Sequence, residues 1–304
     1  MDNIMVLYNE SSGEDKGKEL AENFRQYAAE HGIDTDRIFL QATGPKVDAQ
    51  KLVNKVKVEE ISILVVIGGD GTINHVIEDF REVLDRLKIG LLPGGTVNNM
   101  ARVLDIPLDF EKASQVILDG NTKGVDYGMV NDRAIISTMT IGILADTAAK
   151  ISQKDKQKYG KRLFIKNFVK LLFKKKRYAL SIKTDQKNWQ GKVQLLTVTM
   201  TNSVGGFTNF DDSASADDGL FHVTILPHLH FFPYLFRLPK IIKGKFYELP
   251  NLEYFQAGEV EIKSLERKQV ATRVDGDPCD DLPVKMTMYK HGLQIFVPTN
   301  QAAD

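Results

Sequence analysis

The sequence predicts two domains of different class, a doubly wound α/β domain over residues 1–124 and a β-sandwich domain over residues 125–304. Three observations carry that prediction. Strand-like apolar runs alternate with amphipathic helical stretches up to Gly124. Two glycine-rich turns join a strand to a helix, one unit apart. After Gly124 the texture changes to many short strands separated by polar turns.

The first domain opens with a short apolar strand over 4–8, followed by the polar turn Asn9, Glu10, Ser11, Ser12 and Gly13. Residues 16–31 read as a helix with Leu20, Phe24, Tyr27 and Ala28 inward. A second strand covers 33–41, with Thr43 and Gly44 at its carboxyl end, where ligands of open α/β sheets sit. A helix over 49–57 leads to the run 61–67, almost unbroken in Val, Ile and Leu, which suits a strand covered on both faces. Gly68, Gly69, Asp70, Gly71 and Thr72 follow. The period then becomes helical, with Ile73, Val76, Ile77, Phe80, Val83 and Leu84 on one face beside Asn74. A strand over 89–92 runs into the second turn, Pro93, Gly94, Gly95, Thr96, Val97, Asn98 and Asn99, and a further helix start at Met100, Ala101 and Arg102.

A glycine turn between a buried strand and a helix N-terminus attracts phosphate, because free N–H groups and the helix dipole point at it. Glycines let the backbone approach the ligand, and Thr72 is expected to cap the helix. The turn lacks the Gly-Lys-Ser/Thr ending of a P-loop and the spacing of a dinucleotide fingerprint. Asp70 is its peculiarity. A bare carboxylate there repels phosphate, so it implies a divalent cation, a proton to accept, or a local cap of a tight turn.

The second domain is expected to carry strands over 125–130, 134–142, 178–184, 192–201, 220–226, 260–264, 269–274, 285–289 and 293–297, the last returning to the first domain. The stretch Lys150 to Arg177 is strongly basic, with Phe and Leu interleaved, and Asp155 is its only acid. It reads either as an amphipathic helix on an anionic membrane surface or as a packed helix with a solvated Lys face. Residues 229–242 are apolar, broken by prolines and too short to span a bilayer; a place in the core is favoured. Asp211, Asp212, Asp217 and Asp218 lie in one loop, which reads as a Mg²⁺ site or as turn formers. Asp275, Gly276 and Asp277 close a strand, either to place a base beside a hydroxyl or as a hairpin turn.

Composition narrows the partners. Lys plus Arg equals Asp plus Glu at 40 each, and no RNA-recognition motif occurs, so no nucleic-acid partner is expected. The single cysteine, Cys279, excludes an internal disulfide framework and a Cys-based zinc cluster. The start of the chain shows no signal peptide, and no apolar run reaches the ~18 residues of a membrane span. A cytoplasmic protein, peripheral on the inner face of the membrane, is expected.

Taken in order, Asn9 to Gly13, Thr43, Gly68 to Asn74, Pro93 to Arg102, Asp126-Tyr127-Gly128, Asp217 to Leu220 and Val274 to Asp277 resemble the motifs of the bacterial diacylglycerol kinase and lipid kinase family. Its catalytic domain is shared with sphingosine kinases, and its superfamily includes NAD kinases and phosphofructokinases. The resemblance implies an ATP-dependent kinase acting on a lipid hydroxyl, most readily diacylglycerol to phosphatidic acid. ATP would then be bound by Asn9, Ser12, Gly13, Thr43, Gly68, Gly69, Asp70, Gly71, Thr72, Asn74, Gly95, Thr96 and Asn98. Ser215, Asp218 and Leu220 would hold a structural Mg²⁺, partly through carbonyls. Asp70 and Asp126 would join the acidic network near the catalytic Mg²⁺, and Asp275 or Asp277 would take the hydroxyl proton. Two positions depart from the family: Asn99 stands where an Asp is common, and Asp277 where a Glu is expected. An NAD kinase-like enzyme is an alternative, opposed by the basic stretch and the Asp-Gly-Asp segment. A nucleotide- or lipid-sensing module without catalysis is another, supported by Asn99.

Overall fold

The computed structural model describes residues 2–9, 16–44, 47–95, 97–142, 176–202, 213–227 and 251–301. The chain divides into two compact units, Met1–Asp126 with His291–Asp304, and Tyr127–Lys290.

In the first unit β1 (Asn3–Asn9), β2 (Ile38–Thr43), β3 (Ile61–Gly68) and β4 (Lys88–Pro93) are parallel, in the order β2-β1-β3-β4. Leu64, Val65 and Val66 of β3 are buried, as an apolar run covered on both faces requires. The helices are α1 (Lys16–Glu30), α2 (Ala49–Val58), α3 (Asp70–Phe80), α4 (Asn99–Val103) and α5 (Phe110–Asp119). Asp48 caps α2 through the amides of Gln50 and Lys51, and Asp109 caps α5 through that of Lys112. Gly120, with φ of +79°, ends α5 in the left-handed conformation that glycine adopts without strain. The chain moves from β1 to β2 in one direction and from β3 to β4 in the other. The strand order therefore reverses between β1 and β3, the switch point at which open α/β sheets bind ligands.

Two strands belong to both units, β5 (Thr122–Val130) and β16 (Val284–Phe296). The end of β16 lies parallel to β4 through Gln294 opposite Lys88 and Ile295 opposite Ile89. The second unit is an antiparallel sandwich. One layer runs β12 (Glu253–Ala257), β11 (Phe221–Leu226), β10 (Leu195–Thr199), β7 (Thr138–Gly142), β14 (Ala271–Val274), β15 (Asp277–Asp281). The other holds the first half of β16, then β13 (Glu259–Ser264), β8 (Tyr178–Thr184) and β9 (Asn188–Val193), with β6 (Arg133–Ile135) paired to β5. Met139, Val198, Val223 and Ile225 from the first layer meet Leu180, Ile182, Val260 and Met286 from the second in one core.

The structure corrects several expected strands. Residues 134–142 are two strands, because the chain changes layer at Ile136 and Ser137. Asp275 fixes that corner: its carboxylate accepts from the amides of Ile136 (3.0 Å), Ser137 (3.0 Å) and Thr138 (2.7 Å). Residues 192–201 likewise break at Gln194, where β9 gives way to β10 in the opposite layer. Residues 285–289 and 293–297 are one strand rather than two; His291, at φ of +50°, lies within it. The strands Glu253–Ala257 and Asp277–Asp281 were not expected; the latter is a polar edge strand with Pro278 and no apolar alternation. Helix α3 starts at Asp70 with Gly69 as its N-cap and no side-chain cap bond, so Thr72 does not cap it. The basic stretch Lys150 to Arg177, save Lys176 and Arg177, and residues 229–242 lie outside the described residues. Among the described residues no helix is long and apolar enough to cross a membrane.

Asp275→Ala strips one acceptor from three amides at the corner. It is expected to lower stability by at least about 2 kcal/mol, measured by urea unfolding of the full chain.

Candidate active site

The carboxyl ends of the four parallel strands are level. Asn9 stands opposite Thr43, Tyr8 opposite Ile67, and Gly68 opposite Pro93. The strand order and register therefore bring Asn9, Thr43, the Gly68–Asp70 turn and the Gly95–Asn98 turn to one edge of one sheet. Thr43 and Asn74 are buried there, and Asn9 is half-buried. Ser12, Gly13 and Thr96 lie outside the described residues.

The two glycine turns touch. The amide of Gly94 donates to the carbonyl of Gly68 at 2.9 Å. A Cβ placed on Gly95 would lie 2.5 Å from the Cα of Gly69, so only glycine permits the approach. Thr72 packs over Gly68, where a Cβ would come 2.4 Å from its hydroxyl oxygen. Asn98 closes the second turn on itself. At φ of +53°, it accepts from the Gly95 amide (3.0 Å) and donates to the Gly95 carbonyl (2.9 Å). A small pocket lies between the turns, lined by Gly68, Gly69 and Asp70 on one side and Pro93 and Asn98 on the other.

Asp70 is the tie between them. Its Oδ2 accepts from the Asn99 amide at 2.9 Å and its Oδ1 from the Met100 amide at 3.0 Å. The carboxylate thus caps α4 while its own backbone opens α3. The acid is thus a cap, although the helix it caps is the neighbouring one. Two helix N-termini, each with a positive dipole end, make a carboxylate tolerable in a loop otherwise suited to anions. In α3 the amides of Thr72 and Ile73 close on the Gly69 carbonyl, so those of Asp70 and Gly71 precede the first intrahelical bond. Asp126 is buried, and its Oδ1 accepts from the His291 amide at 2.6 Å.

In the second unit both acidic segments stand at one edge of one layer. Thr199 lies opposite Thr138 on one side and His222 on the other, so the start of β7, the end of β10 and the start of β11 are level. The hairpin Asp275-Gly276 and the loop before β11 both issue from that edge. The hairpin is a two-residue turn with φ of +48° and +91°, the type I′ signature of Asp-Gly. Asp275 is committed to the corner amides, whereas Asp277 is exposed on the other side of the turn.

Asp218 is held from three sides. Its Oδ1 accepts from the Leu220 amide (2.8 Å); its Oδ2 accepts from the Ser215 amide (2.8 Å) and faces His222 Nε2 at 2.9 Å. Asp217 accepts from the Ser215 hydroxyl. This donor set does not fit a divalent cation at Oδ2, where the imidazole already stands. Asp70 fits a cation better, since each of its carboxylate oxygens accepts one amide and keeps a second lone pair. His222 and Tyr254 escaped the sequence reading. Alternation in β11 places His222 on the face away from the core, but nothing in the sequence signals that it is fully buried.

A parallel sheet with paired glycine turns, followed along the chain by an antiparallel sandwich with an Asp-Gly-Asp hairpin, is the combination that matches the lipid kinase class. Residues 3–130 match the diacylglycerol kinase catalytic domain, and residues 144–297 match the YegS C-terminal NAD kinase beta sandwich-like domain. With these two domains the chain belongs to the bacterial diacylglycerol kinase and lipid kinase family and is a lipid kinase, a class that implies ATP use. It is 29% identical to a diacylglycerol kinase of Staphylococcus carnosus over 293 residues, 96% of this chain and 94% of the relative. It is 27% identical to a diacylglycerol kinase of Bacillus subtilis, covering 99% and 98% of the two chains. A crystal structure of a diacylglycerol kinase from Bacillus anthracis shares the fold with a TM-score of 0.76 at 18% identity, covering 98% of each chain.

Two outcomes follow from the turn geometry. Asp70→Ala leaves the α4 amides without their acceptor and is expected to cost about 1–2 kcal/mol by chemical denaturation. Gly95→Ala forces the turns apart and is expected to weaken ATP binding about tenfold by calorimetry.

Proposed function

We propose that this chain transfers the γ-phosphate of ATP to the free hydroxyl of diacylglycerol, giving phosphatidic acid. The contact of the two glycine turns at Gly69 and Gly95 supports the reading most directly. It puts backbone N–H groups at a helix N-terminus beside a second turn, with the Asp70 carboxylate held by α4. The diacylglycerol kinases that this chain resembles along nearly its whole length support the choice of lipid.

In this reading the turn amides of Gly69, Asp70 and Gly71 cradle the phosphates, and Gly95 and Thr96 border them. Asn9, Thr43, Asn74 and Asn98 border the nucleotide or shape the turns around it, and Ser12 and Gly13 complete the border. Mg²⁺ arriving with ATP would be held by Asp70 and Asp126 and would neutralise phosphate charge. Asp277 takes the proton. The lipid O–H bond breaks, the oxygen bonds to the γ-phosphorus, the bond from that phosphorus to the bridging oxygen breaks, and ADP leaves. Asp275 positions the hairpin instead of serving as the base, because its carboxylate is committed to the three corner amides. Asp277 is shorter than a Glu by one methylene, so the hydroxyl must come closer to the hairpin. The basic stretch from Lys150 to Arg177 is assigned to contact with anionic lipid, which makes the enzyme peripheral on the membrane face where ATP is present.

Radiolabelled ATP with diacylglycerol micelles and Mg²⁺ is expected to yield labelled phosphatidic acid. Labelled NADP from NAD, with no labelled lipid, would contradict the proposal. Asp277→Asn is expected to lower kcat by about 10²–10⁴-fold while the ATP Kd stays unchanged. Normal turnover in that variant would remove Asp277 from its role.

A further inference from the structure

We infer that His222 does in this chain the structural work that a divalent cation would do at the Asp218 loop. The inference does not depend on which lipid is phosphorylated. The loop before β11 folds around one carboxylate, which collects the Ser215 and Leu220 amides and the His222 ring. The carboxylate accepts only, so the facing Nε2 carries the hydrogen. Nδ1 is then the acceptor for the Tyr254 hydroxyl. Tyr254 is fixed in turn by the Ser213 hydroxyl at 2.7 Å and by Nε2 of the Gln256 side chain at 3.3 Å. His222 is fully buried, and its cross-strand neighbours are Thr199 and Gln256.

The ring therefore has bonded partners on both nitrogens and stands in a packed site. A cation approaching Oδ2 of Asp218 would have to expel it. Mg²⁺ seeks about six oxygens in octahedral array and keeps several waters. Here the second acid, Asp217, is bonded to the Ser215 hydroxyl instead. Among the described residues no group of three or more His, Cys, Asp or Glu side chains is placed to hold a metal. His222 thus closes the loop with a directional N–H, and the bond ties it to β11 and, through Tyr254, to β12. That loop leaves the same edge as the Asp275-Gly276 hairpin, so His222 is a positioning residue for the acidic edge of the sandwich.

The test uses the full chain without nucleotide. Mn²⁺ titration followed by paramagnetic resonance is expected to show no bound ion that depends on Asp218 at concentrations up to about 10⁻³ M. Melting of the wild-type chain is expected to be the same in EDTA and in Mg²⁺. His222→Gln keeps an N–H donor within reach and is expected to remain indifferent to metal. His222→Ala is expected to melt lower and to regain about 2–4 °C in Mg²⁺. One Mn²⁺ per chain that disappears in Asp218→Asn would overturn the inference, as would a fall in the wild-type Tm on adding EDTA. Both readings come from proteins with His222 in place, so they decide the matter even if His222→Ala does not fold.

Discussion

The bond from Asp70 to the first amides of α4 organises the parallel-sheet unit. The carboxylate accepts two backbone N–H groups at the start of α4, and in doing so joins the glycine turn at Gly69 to the one at Gly95. Charge-assisted hydrogen bonds of this kind are among the stronger ones in proteins. The bond settles two conflicting demands. In the proposed reading the turn must offer free amides to anions, and it must be held shut against the turn beside it. Asp70 satisfies the second demand with amides from α4 and leaves those at the start of α3 free for the first.

The sandwich repeats the device with different atoms. Asp275 gathers three amides and turns the chain from one layer into the other, and Asp218 gathers two amides and an imidazole. In each case the carboxylate is spent on backbone geometry. A family resemblance alone groups such acids as metal ligands or bases. Their hydrogen bonds differ: Asp70, Asp218 and Asp275 each hold a turn, whereas Asp277 is exposed beside a turn that another acid holds.

Much of the first unit was legible because its signals are local. The Val and Ile run of β3 and the glycines that follow it are read from adjacent residues, and so is the amphipathic face of α3. The sandwich was harder because its strands end for non-local reasons. Nothing near Ile136 announces a corner; the cause is Asp275, far along the chain. The edge strand Asp277–Asp281 has no apolar alternation to reveal it, since an edge needs little burial. Among the site residues, Asp70 was found from its misfit in an anion-binding turn, but its partners were not. Backbone amides carry no sequence signature. His222 shows the same limit, since its burial comes from strands that meet it only in three dimensions.

The account stands on the two glycine turns acting as one phosphate cradle locked by Asp70. The most direct test is to follow backbone amide resonances while adding a non-hydrolysable ATP analogue. The account predicts that Gly69, Gly71 and Gly95 shift together along one saturation curve, while the amides of Asn99 and Met100 stay protected from hydrogen exchange throughout. Shifts confined to one turn, or rapid exchange at Asn99 and Met100 in the free protein, would contradict it.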